Sequence, residues 1–474
     1  MSKFIKGSAM VAAGILAALL LNATSIASGA NGGFLTAAQP YVTMVDAAND
    51  SVVPLITAND MLPSGYKFSK IPDGLGAVAK GNGTVNVFVS HELNNSTNHE
   101  GFAKLSLLKL STTDGSVLDA KYLIDGTEGY ERFCSGYLAE GHGFPVPVYF
   151  ANEEVDDGIV VAVMENGTRK EMPWLGKFSH ENTIAVPSFW DKAGKIVLLG
   201  FEDGEATESE VYMYVANSFE DLWNGNGQLY VFGALDHSTY NTWDDIYFKN
   251  WWVRAQWIPL DWDHATQDEA DLHSEAIAKG AFKFIRPEDG ATDKRLGFRD
   301  RFYMADTGSD VDESDVAIPA GMNGQTWEKG RMYKFEFTDD ADPTKIKFRV
   351  FMDGNDSRAP GFGVMINPDN IDVSGKKLMI QEDAIGPTRI ASTSPYYDIT
   401  RNAKVLMVDL ETFKLEVVAY VNQLPDPAAQ HRNWESSGII DASESFGEGS
   451  WLLDIQAHSI QEGGQLLLMK IPGS

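Results

Sequence analysis

The chain has 474 residues, with 38 lysines and arginines against 67 aspartates and glutamates, so its formal net charge is −29. A surface this acidic repels nucleic acid and anionic lipid, which argues against both as partners. Its one cysteine, Cys134, cannot form an internal disulfide, so no such bond holds the fold together.

The N-terminal segment carries the features of a secretory signal. Lys3 and Lys6 precede the apolar run "AMVAAGILAALLL", which is followed by the small residues of "ATSIASGA". An apolar run shorter than the roughly 20 residues of a membrane span is typical of a signal peptide rather than an anchor. We expect residues 1–30 to be removed, and the mature chain to be a periplasmic or extracellular monomer without a stable membrane anchor.

The rest of the sequence is typical of a chain of short strands. β-Branched and aromatic runs alternate with Gly, Asp and Asn turns, as in "STTDGSVLDAKYLI", and the 44 glycines fit many tight turns. Helical periodicity is limited to "SFEDLWNG" and "DEADLHSEAIAKGAF". The fold class is therefore all-β, and we expect residues 31–474 to form a single domain.

One construction recurs along the chain, an apolar strand that ends in acids. It occurs in "TVNVFVSHE", "PVPVYFANEE", "KIVLLGFEDGE", "DRFYMADTGSD" and "KKLMIQED", and "SWLLDIQAH" carries an aspartate. Polar heads precede most of these strands, namely "CSG", "HEN", "RPED", "NPDN" and "ESSG". Such repeats indicate a β-propeller, most simply one of six blades with loop insertions. The Trp-rich insertion 243–262 is expected to pack over the propeller.

The blade geometry gives the recurring acids a function. If the acid-ended strands are innermost, their ends converge on one axis, where uncompensated carboxylates would repel each other. Calcium accepts 6–8 oxygen ligands and would neutralise them. The sequence therefore predicts a central metal site, although any single acid could equally cap a turn. The candidate ligands at these strand ends are Glu92, Glu153, Glu154, Glu382 and Asp383. His91, His180 and His458 belong to the same motifs and could orient carboxylates.

The ordered motifs resemble those of the PhoX-type alkaline phosphatase family. The series is "VSHE", "FCSGYL", "YFANEE", "GKFSHENT", "RPED", "FYMADTG", "NPDNIDVSGKKLMIQED" and "ESSGIID", and it spans roughly residues 70–460. The resemblance implies a six-bladed propeller that hydrolyses small-molecule phosphomonoesters at a cluster of calcium ions and an iron pair.

The resemblance also implies roles for single residues. Cys134 matches a cysteine that ligates iron, and Arg286 matches an arginine that binds phosphate, so both are assigned to catalysis. The matching metal ligands are Glu153, Glu154, Glu181 and Glu288, followed by Asp369, Asn370, Glu382 and Asp383. The chain departs from the family where it lacks an Arg-Arg pair in its signal, and where it reads "YLAEGHGFPVPVYF" instead of a "TPWGT" stretch.

Other functions stay open on the residues alone. A calcium-dependent lactonase or phytase-like esterase would use the same architecture, and so would a non-catalytic calcium-binding propeller. Cys134 distinguishes the phosphatase from these alternatives, because a thiolate ligand suits iron and is superfluous in an all-calcium site. The sequence contains no GxSxG, P-loop or dinucleotide fingerprint that would support other enzyme classes.

Overall fold

The computed structural model describes residues 32–95, 100–204, 209–249, 251–308, 329–383, 403–422, 434–458 and 463–474, together with the backbone of 27–28. The predicted signal peptide lies outside these residues, apart from that backbone, and stays a prediction. No helix in this part of the chain is long and apolar enough to cross a membrane.

Strands dominate the described residues, so the all-β prediction is confirmed. Four short strands come first: β1 (Ala27–Ser28), β2 (Phe34–Leu35), β3 (Val42–Met44) and β4 (Ser51–Thr57). The later strands form successive antiparallel units. The first unit contains β5 (Pro72–Ala79), β6 (Thr84–His91), β7 (Lys104–Ser111) and β8 (Val117–Ile124). The second contains β9 (Phe133–Gly141), β10 (Phe144–Glu153), β11 (Val160–Val163) and β12 (Arg169–Glu171).

The third and fourth units share one nine-stranded sheet. The third contains β13 (His180–Ala185), β14 (Ile196–Glu202), β15 (Val211–Ala216) and β16 (Gln228–Ala234). The fourth contains β18 (Pro287–Thr292), β19 (Arg301–Asp306), β20 (Arg331–Phe337) and β21 (Lys345–Asp353). Between them β17 (Val253–Pro259) pairs with both β16 and β21, and its Trp257 is buried. Part of the Trp-rich insertion thus joins the two units as a paired strand within the sheet, instead of packing over the propeller as predicted.

The last two units recruit strands from the N-terminal segment. The fifth contains β22 (Pro368–Ser374), β23 (Lys377–Glu382), β24 (Lys404–Asp409) and β25 (Leu415–Val421), and β3 pairs with β25. The sixth contains β26 (Trp434–Asp441), β27 (Ser450–Ala457) and β28 (Gly463–Lys470), and β4 is its fourth strand. Because β4 comes from the other end of the sequence, this pairing ties the last unit to the first.

The described residues contain four short helices, α1 (Ser188–Ala193), α2 (Phe219–Asn224), α3 (Glu269–Lys279) and α4 (Ser443–Phe446). Three of them connect strands within a unit, and α3 lies between the third and fourth units. Two 3₁₀ turns, Pro173–Leu175 and Trp243–Asp245, accompany them. Both helices expected from periodicity are present. Each begins after a side-chain cap, Ser218 for α2 and Asp268 for α3, and each ends at a left-handed glycine.

The units form a closed ring. The first strand of each unit contacts the first strands of the units before and after it, and β26 contacts β5. A separate apolar cluster fills each junction between neighbouring units, as where Phe88 of the first unit stacks on Tyr149 of the second at 5.0 Å. This arrangement is a β-propeller, and we interpret the six units in the described part of the chain as six blades.

Candidate metal centre

Most of the recurring acids end or directly follow the second strand of a unit, so the prediction that they end innermost strands was wrong. The pairing register explains why they still converge. The first residue of a first strand lies opposite the last residue of the second strand, as in Phe133–Glu153, Pro287–Asp306 and Pro368–Glu382. The innermost strand therefore begins at the end of the ring where the second strand finishes.

Two positions per unit supply the polar groups at this end of the ring. The second residue of each first strand is, in chain order, Asp73, Cys134, Glu181, Glu288, Asp369 and Glu435. The residue directly after each second strand is Glu92, Glu154, Asp203, Thr307, Asp383 and His458. In five units the pairing register shifts within a few residues of the point where the first residue of the first strand lies opposite the last residue of the second strand. Such bulges re-aim side chains, which allows these groups to point at one another.

Three groups of these side chains could each hold a metal ion. Within each group the donor atoms lie within 4.8 Å of one another. The groups are Asp73 with Glu92 and Cys134, Cys134 with Glu154 and Glu181, and Glu181 with Glu288 and Asp369. Because Cys134 belongs to the first two groups and Glu181 to the last two, the groups form one continuous cluster.

The cluster is electrostatically unfavourable without cations. Burial, and then repulsion from Glu288, raises the pKa of Glu181 well above its usual range. Burial, and then the charge of Glu181, likewise raises the pKa of the Cys134 thiol. The pKa of Glu154 rises to about 7, through burial, although Arg132 opposes this effect. Oδ1 of Asp73 is buried without a hydrogen-bond partner. A thiol and carboxylates held this way fit metal ions, which would supply the missing positive charge.

Arg286 lies against the third group. Its Nε and Nη2 donate to the two carboxylate oxygens of Asp203 at 2.8 and 2.7 Å, and Nη2 lies 2.9 Å from Glu288. Its Nη1 is buried, 4.0 Å from Asp383, and has no hydrogen-bond partner. Such an unused donor beside the candidate metal ligands is suited to receive an anionic oxygen.

Two other predicted ligands, Glu382 and Glu153, accept hydrogen bonds from the backbone instead of joining the candidate metal groups. Glu382 accepts from the backbone N–H of Ile366 at 2.9 Å and of Lys404 at 3.0 Å, and it pairs with the Lys404 ammonium at 2.6 Å. Glu153 accepts from the backbone N–H of Glu131 at 2.9 Å. Both acids are the last residues of second strands. Their hydrogen bonds hold backbone segments that lead into the site or run beside it. We therefore place them outside the proposed ligand set.

Asn370 directly follows Asp369, a member of the third candidate metal group, in the sequence. Its Nδ2 donates to Ser135 Oγ at 3.0 Å, and its Oδ1 accepts from Ser437 Oγ at 3.4 Å. It thus links three first strands behind the ligands. We therefore give it a supporting role.

The predicted histidines divide between two roles. His458 Nε2 lies 2.9 Å from Glu435 Oε1, so this histidine does orient a carboxylate. The rings of His91 and His180 contact the backbone carbonyls of Lys70 and Gly176 instead.

Sequence reasoning left Asp73, Asp203 and Glu435 out of the predicted ligands. Asp73 had a detectable signal, because "IPDG" repeats the proline–acid pattern of "RPED" and "NPDN" at the start of a first strand. Asp203 adjoins a recognised strand end, and Glu435 opens the "ESSG" head. Arg132, which pairs with Glu92 at 2.7 Å and also with Glu154, carried no such signal.

Comparisons with known proteins identify relatives of this arrangement. A family model described as alkaline phosphatase PhoX matches residues 106–423. PhoX of Pseudomonas fluorescens, solved with the transition-state analogue vanadate, superposes with a TM-score of 0.60 at 14% identity, over 90% of this chain and 96% of that one. A gluconolactonase of Xanthomonas campestris gives a TM-score of 0.40 at 10% identity, over 91% and 94% of the two chains, too low to support an inference. No curated protein sequence matches.

Proposed function

Since the chain belongs to the alkaline phosphatase PhoX family, we propose that it hydrolyses phosphomonoesters at the cluster that runs from Asp73 to Asp369. Family membership makes the protein a phosphoric monoester hydrolase. The residues that perform the reaction are our proposal, and it is supported by the way three candidate metal groups and the unused donor of Arg286 meet at one end of the ring.

We assign the metal ligands by donor chemistry. Carboxylates suit calcium, which prefers oxygen, whereas the thiolate of Cys134 suits a softer ion such as iron. Cys134 belongs to two groups, so iron would be held there, with Glu154 and Glu92 nearby, and calcium by Glu181, Glu288 and Asp369. Bound cations would act as Lewis acids towards the phosphoryl oxygens and neutralise the charge that develops on them.

Arg286 would hold the phosphoryl group against this cluster. Asp203 fixes the guanidinium through two parallel hydrogen bonds, so Nη1 is presented in one orientation without loss of side-chain freedom on binding. Nη1 would donate to an oxygen whose negative charge increases in the transition state. Burial of Nη1 excludes water that would weaken this contact.

The proposal is tested by separating substrate contact from metal binding. We expect Arg286→Ala to keep its metals and lose turnover of an aryl phosphate by about 10²–10³-fold, as for other lost transition-state donors. Arg286→Lys should recover little, because lysine lacks the planar fork. Glu288→Gln should lose metal as well as turnover. Metal per chain and kcat would be measured on the same preparations.

Arg295→Ala is a matched control for Arg286→Ala. Arg295 is 13% exposed against 14% for Arg286, and it makes the same two-pronged contact with an aspartate, Asp293, away from the cluster. Its loss should leave kcat unchanged. If Arg286→Ala and Glu288→Gln both retain metals and normal turnover, the proposed site is wrong and these residues form a structural ion pair.

We also propose that the protein is exported and acts as a monomer on small-molecule phosphoesters. The N-terminal apolar segment, with its basic start and small-residue end, supports export. N-terminal sequencing of the protein recovered outside the cytoplasm would test this, since retention of residues 1–30 there would contradict cleavage.

A further inference from the structure

Arg132 occupies the same place in the second unit that Arg286 occupies in the fourth. Each arginine directly precedes the first strand of its unit, β9 or β18. Each also reaches back to the acid that follows the second strand of the preceding unit, Arg132 to Glu92 at 2.7 Å and Arg286 to Asp203 at 2.7 Å. The repeat therefore brings two guanidinium groups to the same end of the ring.

Two features of Arg132, its exposure and its partners, indicate a function at the site. Its φ of 48° does not add to them, because Ile71 and Asn367, which directly precede the first strands of two other units, have the same left-handed conformation. The Arg132 side chain is 37% exposed, against 14% for Arg286, so it lies nearer the solvent-facing rim of the cluster. The acids that it pairs with, Glu92 and Glu154, belong to different candidate metal groups.

From these positions we propose that Arg132 is a specificity-determining residue. It contacts the leaving group, the part of the phosphoester that is not transferred. It favours a leaving group that carries negative charge. This inference rests on the proposed function, because it assigns a second substrate contact to the same site. Arg286 is the less exposed of the two, lies against Glu288 and suits the phosphoryl group. The more exposed Arg132 suits the portion of the ester that extends towards solvent.

Charge explains why the preferred group is an anion. Cations held by Glu92 and Glu154 would compete with Arg132 for the same carboxylates, which would free its guanidinium fork for another anion. The chain carries a formal charge of −29, so an anionic substrate is repelled by the protein as a whole. A local guanidinium at the rim offsets this repulsion where the substrate enters.

A pair of esters that differ in one charge would test the inference. The wild-type protein should hydrolyse 4-carboxyphenyl phosphate with a higher kcat/KM than the neutral 4-carbamoylphenyl phosphate. Arg132→Ala should reduce this ratio about tenfold to hundredfold, the range for one hydrogen bond to a charged group. Arg132→Lys, which retains the charge, should preserve part of the preference, and the metal content of each variant would be measured.

Arg169→Ala is the matched control, since Arg169 is 38% exposed and pairs with Glu128 at 2.7 Å on the outer strand of the same unit. It should keep the wild-type ratio. An unchanged ratio in Arg132→Ala would overturn the inference while the proposed function stands. A loss of metal without a change in ratio would also overturn it, and would make Arg132 a positioning residue for Glu92 and Glu154. Failure of the wild-type protein to hydrolyse either ester would instead overturn the proposed function itself.

Discussion

Replacement of one cluster carboxylate should stabilise the metal-free protein in a pH-dependent way. Burial and the charge of Glu92 raise the pKa of Glu154 from 4.5 to about 7, against the lowering effect of Arg132. Between these pH values the folded protein holds a proton that the unfolded chain has released. Stability therefore falls as pH rises from about 4.5 to about 7, and the contribution of Glu154 is lost above that range.

The size of the effect follows from the difference in pKa. Each pKa unit corresponds to about 1.4 kcal/mol, so ionised Glu154 destabilises the folded metal-free protein by about 3 kcal/mol at pH 8. Its side chain is 11% exposed, so solvent screening reduces this value little. Glu154→Gln removes the charge but keeps the shape. We expect the variant to exceed the wild type in unfolding free energy by about 3 kcal/mol at pH 8, and by little at pH 5.

The assay is denaturant unfolding in excess chelator at both pH values, repeated with calcium and iron. With metals bound the order should reverse, because the variant has lost a ligand. Glu128→Gln serves as the control, since Glu128 also pairs with an arginine and is 16% exposed but lies outside the candidate metal groups. A metal-free wild type whose stability is the same at pH 5 and pH 8 would refute the reasoning.

Three further results are expected. Excess chelator should lower the Tm of the wild-type protein, and added calcium should restore it. The reason is that a ligand at about 1,000 times its Kd stabilises the folded state by about 4 kcal/mol. An unchanged melting curve would contradict a metal-filled cluster. Cys134→Ser should reduce iron per chain by elemental analysis while calcium remains, and full iron content would remove the thiolate from the ligand set. Glu382→Gln should lower the unfolding free energy by about 3–5 kcal/mol, because it leaves Lys404 buried without its charged partner. The metal content per chain should stay unchanged, and a loss of metal would show that Glu382 is a ligand.

The sequence by itself determined the class of fold, and it predicted a metal site rich in carboxylates. Turn residues between short β-branched runs indicate strands wherever they occur, because that signal is local. The recurrence of acids at strand ends is also visible in the sequence, and it pointed to Glu92 and Glu154, which belong to the candidate metal groups. Cys134 stood out because it is the one cysteine of the chain.

Only the tertiary structure decided which acids face one another. Glu153 and Glu154 are adjacent in the sequence, yet the first accepts from the backbone and the second joins the candidate ligands. A strand turns successive side chains to opposite sides, and a shift of one residue in register exchanges them, so sequence alone cannot choose between neighbours. Asp73 and Asp369 lie nearly 300 residues apart in the chain, and they share one cluster because closure of the ring brings the first and fifth units to a common axis.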